Sequence, residues 1–274
     1  MTAATTLDPH PVAVIGARVT TAGVLRSEWT KIRSLRSTYW TIIVTVVVSI
    51  GFGAIVSAVQ AANWPHASPG DRASFHPVMA SLGGIYFGQL GIGVLGVLLV
   101  SGEYSTGMIR ATLTAVPKRL PVLWAKLAVF SAVTAVAAFL TSFIAFFVGQ
   151  ALLSRQHIGT SLGQSPALRD VVGAALYIIV IGILGMALGA LLRNTAAGIS
   201  TLVGLVFLLP ILAEALPSSW TRHILPYMPA NAGQALWTDG DVAHLAPWTG
   251  FGVLCAYAAA AIALAAYGLM RRDA

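Results

Sequence analysis

The stretch LAVFSAVTAVAAFLTSFIAFFVGQALLS, residues 127–154, contains no charged side chain. A helix half-buried in a water-soluble protein shows a polar stripe every third or fourth position, and a half-buried strand alternates. This run does neither, being apolar on every face. It is also longer than the roughly 20 residues an α-helix needs to cross a hydrocarbon layer about 30 Å thick. The expectation is a membrane-spanning helix.

Working outward, further charge-free runs occupy 38–70, 73–102, 171–192, 194–213 and 242–270. Together the runs place six spans near 40–62, 79–101, 123–152, 171–192, 196–216 and 247–270. Hydrophobic residues make up 57% of the 274 and charged residues only 9%, where a soluble domain carries about 25% charged residues. Lipid offers backbone N–H and C=O groups no partner, so spanning segments must satisfy them internally, as helices or as closed barrels. Unbroken apolarity selects helices, because barrel strands alternate. The fold class expected is an all-α integral membrane protein, one transmembrane domain over 1–274 without internal repeats. The single cysteine, Cys255, has no intrachain disulfide partner.

Residues 1–22 are expected to be a loose cytoplasmic tail, since they lack the basic start and apolar core of a cleavable signal. With the N-terminus inside and six crossings, only Arg72, Arg155, Arg169 and Arg222 of the sixteen Lys and Arg fall outside. That bias fits the positive-inside rule and puts both termini in the cytoplasm. The seven tryptophans fall near span ends, Trp29, Trp40 and Trp124 at the inner face and Trp64, Trp220, Trp237 and Trp248 at the outer. Headgroup level suits a ring that is apolar but carries one N–H. The net charge of +7 is thus attributed to topology, not to nucleic-acid binding.

Two segments at the inner face carry pattern. Over 23–38, Leu25, Trp29, Ile32, Leu35 and Tyr39 recur at helical spacing, while Arg26, Lys31, Arg33 and Arg36 take the other face. This predicts an amphipathic surface helix, whose candidate residues are Glu28, Trp29, Lys31, Arg33 and Arg36. It serves either as an anchor on anionic lipid or as a lever for a partner. Between spans two and three, 105–116 is expected to form a short helix ended by Pro117, again either a docking element or an ordinary charged interface.

Within the spans, Gly84 with Gly88 and Gly185 with Gly189 form GxxxG pairs of the kind that let helices approach closely. Gln89, Gln150, Tyr86 and Tyr177 are the buried polar candidates. Glu214 is the acidic residue at a span edge, a functional candidate that interfacial solvation also explains. The outer segment 217–246 suits short helices dipping into the outer leaflet, or a plain interfacial loop.

The motifs of common chemistries are missing. There is no GxxxxGK[ST] phosphate loop, no HExxH, no GxSxG and no cysteine cluster, so no catalytic or metal-binding residue is assigned. None of the six histidines falls where two spans would pair it across a haem.

SEWTKIRSLRSTYW, residues 27–40, resembles the opening of type-two ABC exporter permeases, particularly those of actinobacteria. GEYSTGMIRATLTAVPKRLPVLWAK, residues 102–126, is similar to that family's loop after the second span, with matching positions at Glu103, Gly107, Arg110, Leu113, Pro117 and Lys126. PYMPANAGQALW, residues 226–237, and the six-span layout extend the resemblance over essentially the whole chain. One departure is Lys118, where relatives often carry a small hydroxylated residue before the arginine matched by Arg119.

The resemblance implies a half-transporter in a bacterial cytoplasmic membrane, paired with a second permease copy or paralogue and with two ABC ATPase subunits. ATP and Mg would be bound by those subunits and no cofactor by this chain. Glu103, Gly107, Arg110, Leu113, Pro117 and Arg119 would couple the chain to the ATPase, and spans two and five would line the path of a hydrophobic or amphipathic substrate. The competing expectations are an ATP-independent carrier or channel and a lipid-modifying membrane enzyme.

Overall fold

The computed structural model describes residues 20–115, 119–215, 217–238 and 245–271. All their regular elements are helical, and six helices are long and apolar enough to span a bilayer. The protein is a multi-pass, all-α membrane protein.

The chain enters through α1 (Thr21–Ser34), started by the Thr20 side chain accepting from the Gly23 N–H at 3.1 Å. At Leu35 the backbone becomes extended, and α2 (Arg36–Asn63) begins. The surface helix is therefore shorter than the expected 23–38, and Arg36 opens the first span instead. After α3 (Pro69–Ala73) the second crossing is also divided, into α4 (Pro77–Ser81) and α5 (Ile85–Ser105). The residue that precedes α5 is tightly placed: a Cβ on Gly84 would lie 1.7 Å from the Ser49 carbonyl oxygen of α2.

Gly107, at φ +70°, turns the chain from α5 into α6 (Met108–Ala115). Glycine takes that left-handed conformation without penalty. Hence the short helix starts at Met108, not at the expected Ser105, which still belongs to α5. The remaining spans are α7 (Arg119–Leu153), α8 (Ala167–Leu192), α9 (Thr195–Glu214) and, after the short outer helices α10 (Ser218–Ile224) and α11 (Pro229–Gln234), α12 (Pro247–Arg271). A π-turn at Gly204–Leu208 interrupts α9, just before Pro210, which has no N–H to give to the helix ladder.

The bundle is built around α8, of which 78% of the most apolar stretch is buried against 22% for α2 and for α9. It packs along α5, α7 and α12. Contact with α5 is backbone on backbone. A Cβ on Gly185 would lie 2.2 Å from the Gly93 carbonyl oxygen, one on Gly189 2.7 Å from that of Val97, and one on Gly96 2.4 Å from that of Gly182. Gly88 sits between α2 and α8, its absent Cβ 3.2 Å from Ser49 Oγ and 3.1 Å from Ile178 Cδ1.

Helix α2 shows why small residues take the inside. Its buried positions are Thr38, Thr45, Ser49, Gly53, Ser57 and Ala61, while Ile43, Val44, Val47, Ile55 and Val59 are exposed. Lipid tails are as apolar as valine, so nothing drives large side chains inward, whereas small ones let helices close up. Some interior hydroxyls bond back along their own helices, as Thr141 Oγ1 does to the Ala137 carbonyl at 2.7 Å and Thr134 Oγ1 to that of Phe130 at 2.9 Å.

One tryptophan is enclosed by the protein. Trp40, Trp124, Trp220 and Trp248 are exposed, but Trp237 is 1% exposed. The α10–α11 segment folds back on the bundle and carries this ring between Tyr86 and Tyr177, at centroid distances of 5.6 and 6.1 Å.

Gly185→Ala should lower stability in detergent by about 1–3 kcal/mol, the usual range for overpacking. Gly51→Ala, where nothing lies within 4 Å of the added Cβ, should leave the melting midpoint unchanged or raise it. Equal midpoints for parent and Gly185→Ala would remove the close-contact account.

Candidate functional site: a four-charge cluster at the basic end

Helix α1 lies on α7, with Val24 packed against Val122 and Ala125. Its buried positions are Val24, Glu28 and Ile32, at i, i+4 and i+8. This departs from the face expected from the sequence: Leu25, Trp29 and Leu35 are exposed, and a carboxylate points inward. The reason is the side chain opposite. Lys126 of α7 donates to Glu28 Oε2 at 2.6 Å and to Glu103 Oε1 of α5 at 2.7 Å.

Lys31, expected on the polar face, turns into the same cluster. Its Nζ donates to Glu28 Oε1 at 2.7 Å, to Glu103 Oε1 at 3.0 Å and to Thr112 Oγ1 of α6 at 3.3 Å. Two carboxylates and two ammonium groups thus tie four elements together: α1, the last turn of α5, α6 and the first turns of α7. Glu28, Glu103 and Lys126 are buried, so each charge has given up water and depends on its partners. Glu103 Oε2 is buried without a partner among the described residues.

Burial alone would lower the Lys31 pKa, but hydrogen bonds and attraction from Glu28 and Glu103 outweigh it and leave the ammonium above the ordinary lysine value of 10.5. A raised cationic pKa means that this contribution to stability is complete below about pH 10.5 and is lost as pH climbs through the raised value. Lys31 therefore stays charged throughout the neutral range.

A second set of contacts clasps the end of α12. Arg119 Nη1 donates to the Leu269 carbonyl at 3.0 Å, and Arg193 Nη2 to that of Gly268 at 3.2 Å. Both carbonyls belong to the helix's last turn, where C=O groups lack helical partners and cations are favoured. Arg193 takes the left-handed conformation at φ 53° and lies over the Tyr104 ring of α5 at 5.1 Å. Beside it Ile109, the buried foot of α6, fits a junction lined by Val100, Tyr104, Leu123 and Leu269.

Of the residues singled out in the sequence, Glu28, Lys31 and Glu103 meet in the cluster, Gly107 forms the α5–α6 turn and Arg119 joins the second clasp. Trp29 and Arg33 are exposed on α1. The side chains of Arg110 and Leu113, and Pro117 altogether, lie outside the described residues. The clustering roles of Lys126 and Thr112 were not read from the sequence. A lysine set inside the apolar segment PVLWAKLAVF, 121–130, was the available signal for the first, since such a charge calls for a buried partner.

Of the expected buried polar residues, Gln89, Gln150 and Tyr177 are buried but Tyr86 is exposed, and the buried polar set holds more than these. Besides the cluster it includes Asp170, in the first turn of α8 and held by Arg169 at 2.8 Å; α8 begins four residues before the expected 171. Glu214 is exposed. Tyr177 donates to Gln89 Oε1, and Gln150 links the Pro77 carbonyl and Ser81 Oγ, both at 3.0 Å, to the Thr160 N–H at 2.6 Å.

Compared with models of known protein families and with curated proteins, the chain gives no match.

Lys126→Met should destabilise the protein by about 3–5 kcal/mol, because it strands buried carboxylates. Adding Glu28→Gln should recover part of that loss, and the two single variants and the double should therefore be non-additive in thermal unfolding. Strict additivity would show that Glu28 and Lys126 do not interact.

Proposed function

We propose that the chain is the permease subunit of an ATP-binding-cassette exporter, moving a hydrophobic or amphipathic substrate out across a bacterial cytoplasmic membrane with ATP hydrolysed by separate subunits. The observation that carries this reading is the attachment of α6. This short helix stands outside the spans on a glycine turn, yet Thr112 meets Lys31 in the charge cluster and Ile109 is buried among α5, α7 and α12. A push on α6 from the aqueous side is thereby delivered to several spans at once, as a coupling helix requires. The sequence resemblance over 102–126 assigns the same segment to ATPase contact.

In this mechanism the chain performs no chemistry. An ATPase pair closing on ATP moves α6, and the block formed by α1, α6 and the basic ends of α5 and α7 moves with it. The central path between two permease copies then opens outward, and hydrolysis resets it. The positive-inside pattern puts this end in the cytosol.

The buried carboxylate of Glu103, at the end of a span, favours one rival, a carrier driven by protons, because ionisable groups within membrane helices are typical of such relays. The two readings separate in liposomes. An exporter subunit transports only with its ATPase and ATP, and a carrier transports alone. For the exporter, Arg110→Glu should leave the protein in the membrane but abolish its co-purification with ATPase activity. Unchanged co-purification would reject the coupling role of α6.

A further inference from the structure

A cleft of about 460 Å³ opens at the basic end between α1, the start of α2 and the last turns of α5. Its volume lies in the range of small-molecule sites, about 300–1,000 Å³. Its lining is aliphatic at Leu35, Leu95 and Leu98, hydroxylated at Ser37, Thr38 and Thr41, and ionic at the charge cluster, including Glu103. Leu35 and Leu98, exposed by 44% and 41%, stand at the mouth. They lie where a surface helix bends into a span, the level at which headgroups meet acyl chains.

The polar wall sets the chemistry of an occupant. Its two carboxylates and two ammonium groups already neutralise one another, so a charged head would arrive as a buried, uncompensated ion. One acceptor still needs a donor, since Glu103 is 7% exposed and its Oε2 has no partner among the described residues. Neutral overall, short of one donor and backed by aliphatic side chains, the cleft suits a particular kind of molecule.

We propose that this cleft binds an uncharged amphiphile from the bilayer, its chain along Leu35, Leu95 and Leu98 and an O–H or N–H of its head donating to the Glu103 carboxylate. The inference does not rest on the exporter reading, because binding is measured without ATP or transport.

The test is photolabelling of the full chain, purified in detergent, with dodecanol carrying a diazirine in its tail. Saturable labelling should map to residues 35–41 and 95–99, and unlabelled dodecanol should compete about tenfold better than dodecylamine or dodecanoate, a difference of about 1.4 kcal/mol. Leu98→Trp, which fills the mouth from an exposed position, should weaken labelling about tenfold. Val47→Trp, on the lipid-facing side of α2 at 62% exposure, should not. Glu103→Gln leaves the wall with one excess positive charge, so dodecanoate should become the best competitor. If that variant fails to fold, the three heads compared on the unaltered protein still decide. Unsaturable labelling spread over lipid-facing residues, or equal competition by all three heads, overturns the proposal.

Discussion

The contact on which the architecture depends is the approach of α5 to α8, backbone against backbone at their glycines. Gly93, Gly96, Gly182, Gly185 and Gly189 bring carbonyl oxygens to within about a bond and a half of where a methyl group would stand. In lipid such contact is the main source of helix association, because apolar burial gains nothing over the solvent. Every other span is arranged around that pair: α7 and α12 lean on α8, α2 fits the Gly84 notch, and α9 packs on the α5–α8 edge.

At the basic end the adhesive changes from packing to charge. Replacing a buried ion cluster by well-fitted apolar side chains is often neutral or stabilising in proteins, so stability alone does not explain Glu28, Lys31, Glu103 and Lys126. What the cluster adds is direction. Hydrogen bonds between a carboxylate and two ammonium groups hold only in one arrangement, whereas apolar surfaces slide. A surface helix, a short loop helix and two span ends are thereby held in register where greasy contact would let them drift. Buried polar networks retained for specificity are a known use of such groups, and here the four elements joined are the ones the proposed mechanism moves together.

Much of this was legible in the sequence. Six spans followed from charge-free runs, since length and apolarity are what a bilayer demands, and the surface helix followed from its spacing. The breaks were less visible: Leu35 has no helix-breaking character, and the residues around Gly84 do not report how closely α2 approaches there. The site was only half legible. Glu28 was legible only as a candidate of the surface helix, not as a buried one, because the lysine that draws it inward lies 98 positions away, and helical spacing says nothing about what stands opposite. The burial of Trp237 was hidden for the same reason. Its partners Tyr86 and Tyr177 are distant in sequence.

The wide turn at Gly204–Leu208 gives α9 a property the other spans lack. An extra residue in one turn of a helix rotates everything beyond it by about 100°. Here that offset keeps one face in line: Leu202 and Val206 before Pro210 and Ala213 beyond it are all buried, while Ile211 and Leu212 are exposed. The wide turn thus carries the span past a proline without losing its inward face.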